Sequence, residues 1–279
     1  RWFGTIDTAV EHAIKHYLNN SSIDMPAEPL LHHVRTGSGE PLVLLHPLGA
    51  EMVVWEPVIP RLAAQREVVA LDLPGFGRSP ALPGDTEPTP RALADAVARF
   101  LDTLGLRRAH IVGNSLGGWI ALELARAGRA LSVTALSSAG FWARPLGARP
   151  GPDLRSLGRA LLPALTVLAR TRRGRHALLR GAVGHPERVP PAAAARLVRS
   201  YLTAPGYSAA NAQMRSSVVS GTKEIDVPVT LAWGEFDRLV RAPRVIPPGW
   251  RTRMLRGCGH VPTWDDPEQV SSLLLEASA

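Results

Sequence analysis

The sequence predicts an α/β fold built on a parallel sheet and interrupted by a helical insertion. Three observations carry this. From residue 30 to about 140, short apolar runs closed by Gly, Pro or Asp alternate with helix-length stretches. The alternation stops over residues 141–220, where Arg, Ala, Leu and Pro dominate, and resumes near Val227. The 279 residues, 45% apolar and 20% charged, are enough for one large domain with an inserted subdomain.

Taken in order, residues 30–35 read as a strand ending at the turn Gly37-Ser38-Gly39. Residues 41–45 form an apolar strand of the kind a parallel sheet buries on both faces. Residues 55–64 suit a helix, and 68–71 a short strand closed by Asp72-Leu73-Pro74-Gly75. A helix over 90–104, a strand over 109–112, a helix over 116–127 and a strand over 132–136 follow. The insertion has helical patterning near 154–182 and 191–203. Leu154, Leu157, Leu161, Leu162, Leu165 and Leu168 recur there at helical spacing, with Pro163 set to break or kink the helix. The stripe reads first as packing against the main domain and second as part of an acyl pocket. Strands return at 227–233 and about 251–255, and a helix over 267–276 closes the chain.

Residues 1–24 stand apart, with one of the two lysines and two of the four asparagines. Thr8-Ala9-Val10-Glu11 fits a capping box, and Ile6, Val10, Ile14, Tyr17 and Leu18 make an amphipathic stripe. The segment is expected to be a helix, either a non-native extension ahead of Met25 or an extra native element. His12 and His16 stand four apart without a third ligand, so no metal site is expected.

Composition narrows the function classes. The single Cys258 excludes an intrachain disulfide and a zinc-thiolate cluster. No apolar run is long enough to span a bilayer. The polar N-terminal stretch does not resemble a secretory leader, so a soluble cytoplasmic protein is expected. Net charge is +8, but residues 141–220 alone hold 13 arginines, no lysine and only Asp153 and Glu187, giving +11. The remainder is therefore slightly acidic. No nucleic-acid-binding pattern accompanies this charge, and no nucleic acid partner is expected.

The chemistry-bearing residues fall at predicted strand ends. Gly113-Asn114-Ser115-Leu116-Gly117 matches G-x-S-x-G between an apolar strand and a helix, the setting in which a serine hydroxyl stands above a sheet as a nucleophile. The backbone N–H of Leu116, at the helix N-terminus, can face a developing oxyanion. The second donor is expected in the loop His46-Pro47-Leu48-Gly49, from Leu48, because Pro47 has no N–H. His46 reads as a brace for that loop rather than a proton carrier. A serine nucleophile needs a base, and the base an orienting acid. Of the downstream histidines, His176 and His185 fall in the insertion, whereas His260 follows the last predicted strand. Asp237 follows the strand at 227–233, with Glu235 as its local competitor; the loop Ser137-Ser138-Ala139-Gly140 offers no carboxylate. Trp119, Phe141 and Trp142 are candidates for a substrate pocket, with core packing as the competing role.

Five motifs then identify a family. LLHPLGA (44–50), DLPGFGRSP (72–80), GNSLGGW (113–119), WGEFDRLV (233–240) and GCGHVPTWDDPEQV (257–270) resemble, in order, those of the α/β-hydrolase superfamily. The resemblance implies an eight-stranded, mostly parallel sheet flanked by helices, with a helical cap inserted after the sixth strand. On this reading residues 25–140 and 221–279 are the core and 141–220 the Arg-rich cap. It implies Ser115, Asp237 and His260 as nucleophile, acid and base, and Asp72 as part of a structural turn. The chain departs from the pattern at His46-Pro47, where the family usually has His-Gly. Ser115 separates it from the haloalkane dehalogenases, which carry aspartate there.

The function expected is a serine hydrolase cleaving a carboxylic ester, or a related acyl bond, of a small and largely apolar substrate, without a cofactor. The Gly-Asn-Ser-Leu-Gly-Gly elbow is also similar to that of C–C bond hydrolases acting on vinylogous diketones, often Gly-Asn-Ser-Met-Gly-Gly. Cofactor-free perhydrolysis is a third reading on the same triad. A non-catalytic receptor or scaffold is the alternative of a different class, and such relatives often lack a triad residue. The arginines, Arg170, Arg172, Arg173 and Arg175 among them, read as a solvated face or as attraction for an anionic substrate, carrier or membrane surface.

Overall fold

A seven-stranded sheet organises the computed structural model, which describes residues 30–147 and 154–279. The expected N-terminal helix, His12 and His16 lie outside the described residues. The strands are β1 (His33–Thr36), β2 (Pro41–Leu45), β3 (Glu67–Leu71), β4 (Ala109–Asn114), β5 (Ala130–Leu136), β6 (Val229–Gly234) and β7 (Arg251–Leu255). Their order is β1-β3-β2-β4-β5-β6-β7, and only β1 is antiparallel, pairing His33 with Leu71. The family resemblance implies eight strands. Among the described residues the eighth is not found: 30–32, ahead of β1, are irregular. The insertion accordingly follows the fifth described strand rather than the sixth.

Period-two burial explains the layering. Val43, Leu45, Val69, Leu71, Ile111 and Val133 point to one side, where α2 (Pro90–Thr103) and α3 (Leu116–Arg126) supply Leu93, Val97, Leu116 and Ile120. Leu42, Leu44, Val68, Ala70, Val112 and Ala232 point to the other. There α1 (Ile59–Ala63) and the C-terminal α9 (Pro267–Ala277) supply Leu62, Val270 and Leu274. Each of these fully buried Val, Leu and Ile side chains contributes about 1.5–3 kcal/mol. The edge strand β7 keeps Arg251 and Arg253 exposed, which blocks further strand addition.

Between β5 and β6 lie α4 (Leu154–Ala160), α5 (Leu162–Ala169), α6 (Arg172–Leu179), α7 (Pro191–Thr203) and α8 (Tyr207–Arg215). Pro163 sits in the first turn of α5, where its missing N–H costs nothing, so the leucine stripe is split into two helices. Thr171 caps α6 by accepting the N–H of Gly174 at 3.0 Å. Of the stripe, Leu162 and Leu165 pack on the second core cluster, while Leu157, Leu161 and Leu168 are exposed. The helix expected over 55–64 is shorter than predicted: α1 begins at Ile59, after a single 3-10 turn over Met52–Trp55. Residues Leu31–Ala279 pack as one unit. No described helix is long and apolar enough to cross a membrane.

Candidate active site

The elbow after β4 depends on its glycines. A Cβ on Gly113 would lie 2.0 Å from Gly117 O, and one on Gly117 would lie 2.2 Å from Leu45 O. With those contacts free, the chain turns within one residue. Ser115 takes φ 55°, ψ −112°, a left-handed conformation costly for a residue with a side chain. Its N–H donates to Leu136 O at 2.9 Å, and its carbonyl accepts from Trp119 and Ala139. Leu116 opens α3, so its N–H has no partner within the helix.

Two loops converge on this elbow. His260 follows β7 and is buried, with Nδ1 2.9 Å from Asp237 Oδ2. Asp237 follows β6, and its Oδ1 accepts the N–H groups of Leu239 (2.8 Å) and Val240 (2.9 Å). An ionised acceptor fixes the proton on His260 Nδ1 and leaves Nε2 as the free base position. Burial raises the Asp237 carboxyl, but the bond and charge of His260 and the two backbone N–H groups outweigh it. The group is held below its ordinary value. Glu235 goes elsewhere, accepting the Gly257 N–H at 2.8 Å. Of the two carboxylates open in the sequence, the structure brings Asp237 to the imidazole.

Asn114 joins the loops. Its Nδ2 donates to Leu136 O (3.0 Å) and to His260 O (2.9 Å), tying the histidine backbone to the residue before Ser115. In the sequence it is the variable position of G-x-S-x-G, with no role of its own. Its polarity, inside an otherwise apolar strand end, is the physical signal that marks it.

The loop 46–50 flanks the elbow. His46 is fully buried; its Nδ1–H donates to Pro47 O (2.8 Å), and Nε2 accepts the Leu73 N–H (2.9 Å). Both ring nitrogens are used, and burial lowers its pKa, so it is a neutral brace. Neither Leu48 N–H nor Leu116 N–H donates to an acceptor among the described residues. Gly49 takes φ 75°, and a Cβ there would touch the rings of Tyr207 (2.9 Å) and Tyr201 (3.0 Å), which come from the inserted helices. Asp72 is buried in a turn, accepting from Met52 N (2.7 Å), Arg78 N (3.0 Å) and His32 Nδ1 (2.8 Å).

The aromatic candidates form a cluster. Trp119 packs edge-on to Trp142 at 6.0 Å, and its Nε1 donates to Glu123. Phe141 meets Trp233 and Trp250 edge-on at 6.2 and 6.3 Å. Trp119 is buried, and Phe141 and Trp142 are half-buried. Two surface cavities, of about 660 and 690 Å³, are lined by none of these residues, nor by Ser115, Asp237 or His260. No cluster of potential metal ligands occurs among the described residues. Cys258 is buried and its thiol is pushed up to about 12, chiefly by burial, so it stays protonated and unreactive.

A profile of the alpha/beta hydrolase family matches residues 42–273. The chain belongs to that family. It is similar to the epoxide hydrolase EphH of Mycobacterium tuberculosis, 33% identical over 195 residues that cover 65% of this chain and 91% of that protein. A second relative is the dihydrolipoyllysine-residue acetyltransferase component of the acetoin cleaving system of Cupriavidus necator. It is 42% identical over 113 residues, which are 39% of this chain but only 29% of that protein. Among solved structures, a thermophilic esterase from Thermogutta terrifontis superposes with a TM-score of 0.66 at 25% identity, covering 90% of this chain and 94% of that one.

Proposed function

We propose that this hydrolase cleaves carboxylic esters of small, largely apolar substrates through Ser115, His260 and Asp237. The observation that carries the reading is the fixed imidazole. Asp237 holds Nδ1, and Asn114 ties the same residue's carbonyl beside the strained Ser115 elbow. On this reading His260 Nε2 takes the Ser115 proton as the oxygen attacks the acyl carbon. The Leu48 and Leu116 N–H groups stabilise the oxyanion. The alcohol leaves with the proton from His260. Water then attacks the acyl-enzyme, giving its proton to His260, and Ser115 regains its hydroxyl as the acid departs.

The similarity to an epoxide hydrolase does not redirect this chemistry. A serine oxygen that opened an epoxide would be left in an alkyl ether, which water cannot cleave, whereas an acyl ester turns over. Ser115 therefore favours acyl carbon as the target. A second reading is C–C hydrolysis of a vinylogous diketone, favoured by the Gly-Asn-Ser-Leu-Gly-Gly elbow. Phe141, Trp142 and Trp119 are assigned to the wall of an apolar pocket, and the helices over residues 154–215 to a cap above it.

The test is labelling by a fluorophosphonate together with hydrolysis of p-nitrophenyl esters of increasing chain length. Both are expected in the wild type and absent in Ser115→Ala. Turnover of a ring-fission diketone with no ester turnover would establish the second reading, and an unlabelled, inactive wild type would overturn both.

A further inference from the structure

Asp265 is 1% exposed, and its carboxylate faces three backbone donors. Oδ2 accepts the N–H of Gly259 at 2.7 Å and of Gly184 at 2.9 Å; Oδ1 accepts the N–H of His185 at 2.7 Å. Gly259 is the residue before His260. Gly184 and His185 belong to the link between α6 and α7. One buried carboxylate thus joins the loop that carries the imidazole to the inserted helices.

The surrounding contacts leave little slack. Val261 N–H donates to Ala182 O at 2.8 Å. A Cβ on Gly259 would lie 2.5 Å from Gly184 N, and one on Gly184 would lie 2.7 Å from Gly257 O, so the two backbones touch. The stretch 259–261 is held at three successive points: the Gly259 N–H by Asp265, the His260 carbonyl by Asn114, and the Val261 N–H by Ala182. Of these holders, only Asp265 is ionisable. A carboxylate has acceptor sites for all three of its donors, and bonds to it are stronger than bonds to a neutral oxygen.

We infer that Asp265 is a positioning residue for His260: by fixing the Gly259 peptide to the 182–185 link, it sets the ring between Asp237 and Ser115 and couples the inserted helices to the base. This rests on the reading of His260 as the base. Asp265→Asn keeps the shape but leaves one oxygen and one NH₂ to face three N–H donors, so at least one bond becomes a repulsion.

The test compares Asp265→Asn with Asp266→Asn in the full chain. The Asp266 side chain caps α9 by accepting the Gln269 N–H at 2.8 Å and exchanges no hydrogen bond with Gly259, His260 or the 182–185 link. It reaches the loop ahead of His260 only through the Gln269 side chain, so its loss is expected to cost mainly stability. On a p-nitrophenyl ester, Asp265→Asn is expected to lower kcat roughly 100-fold with KM nearly unchanged. Asp266→Asn is expected to keep kcat while losing a comparable amount of Tm. The low-field proton resonance of His260 Nδ1, read by NMR without any turnover, is expected to be sharp in wild type and Asp266→Asn and exchange-broadened in Asp265→Asn. If Asp265→Asn does not fold, Asp265→Glu, which keeps the charge and shifts it by one methylene, is expected to show the same kcat loss and broadening. Wild-type kcat and a sharp resonance in the Asp265 variant, or equal kcat losses in both variants, would overturn the inference. A wild type that is unlabelled and inactive would overturn the ester reading instead, with the resonance still reporting on Asp265.

Discussion

In the elbow, Gly117 has no room for a methyl group because its Cβ would fall 2.2 Å from a backbone oxygen, Leu45 O. In α4 of the insertion, a Cβ on Gly158 would fall 2.5 Å from Leu202 Cδ2, the far end of a flexible side chain. The same residue type is a constraint at one position and a convenience at the other. The sheet edge is built from backbone-to-backbone contacts that admit one solution. The inserted helices mix the two: Leu202 beside Gly158 can move, a Cβ on Gly174 would fall 1.9 Å from Leu168 O, and Leu157, Leu161, Val167 and Leu168 remain exposed there. The difference teaches where substitutions should abolish function and where they should only tune it.

The largest expected effect is at Ser115. Ser115→Ala should lower kcat on an ester by about 10⁵- to 10⁶-fold while leaving the circular dichroism spectrum unchanged. Ser115→Gly should lose activity equally but gain roughly 1 kcal/mol of stability, because glycine adopts φ 55° without strain. A loss of stability in denaturant titration would show that the elbow is not strained. Asp237→Asn comes next, with about a 10⁴-fold fall in kcat, since an amide can reverse the imidazole tautomer.

Much of the sheet region was legible in the sequence. Strands buried on both faces read as continuous apolar runs, and the glycines of the elbow and the aspartates of the turns are forced by backbone geometry. The sequence prefers Asp237 to Glu235 as the acid; in the structure Asp237 meets the imidazole and Glu235 turns to Gly257. One set of contacts was hidden. Asn114 acts on Leu136 and His260, 22 and 146 residues away, and such partners leave no local pattern. The insertion was less legible. The leucine stripe suggested helix over 154–182, and three helices occupy it, divided by Pro163 and the Thr171 cap. The helix α8 went unforeseen because Ala210 is its one buried residue, so no apolar period marks it.

Glycine substitutions sharpen the comparison by stability alone. Gly117→Ala should cost about 3 kcal/mol or more, or prevent folding, because the obstructing atom is backbone. Gly158→Ala should fall within about 1 kcal/mol of wild type, since Leu202 can yield and alanine favours the helix. Equal costs in urea unfolding would abolish the distinction between the two positions.

His46 gives the sheet region a pH signature. Its folded pKa is depressed by burial, whereas the unfolded chain binds a proton near the ordinary value of about 6.5. Its contribution to stability is therefore whole above that value and lost as pH falls through the folded value. His46→Gln should be less stable at pH 8 by about 1–3 kcal/mol, because buried partners lose their bonds. Its Tm should also decline less steeply than wild type between pH 7 and 5. A parallel decline would assign the acid sensitivity to other groups.

The smallest expected effect lies on the inserted helices. Arg170, Arg172 and Arg173 are exposed, and none forms an ion pair among the described residues, whereas Arg175 is buried and donates to Arg170 O at 2.8 Å. The first three face solvent, where salt screens their charge. Replacing all three with Gln should lower kcat/KM for a carboxylate-bearing ester roughly threefold at low ionic strength and leave a neutral ester unchanged. The gap should close as salt is raised toward about 0.3 M, where the screening length falls below the span of a side chain. Equal response of the two esters would make this surface a solvated face and nothing more. A difference that survives high salt would place a guanidinium in direct contact with substrate, and the insertion would then share the constraint that marks the sheet edge.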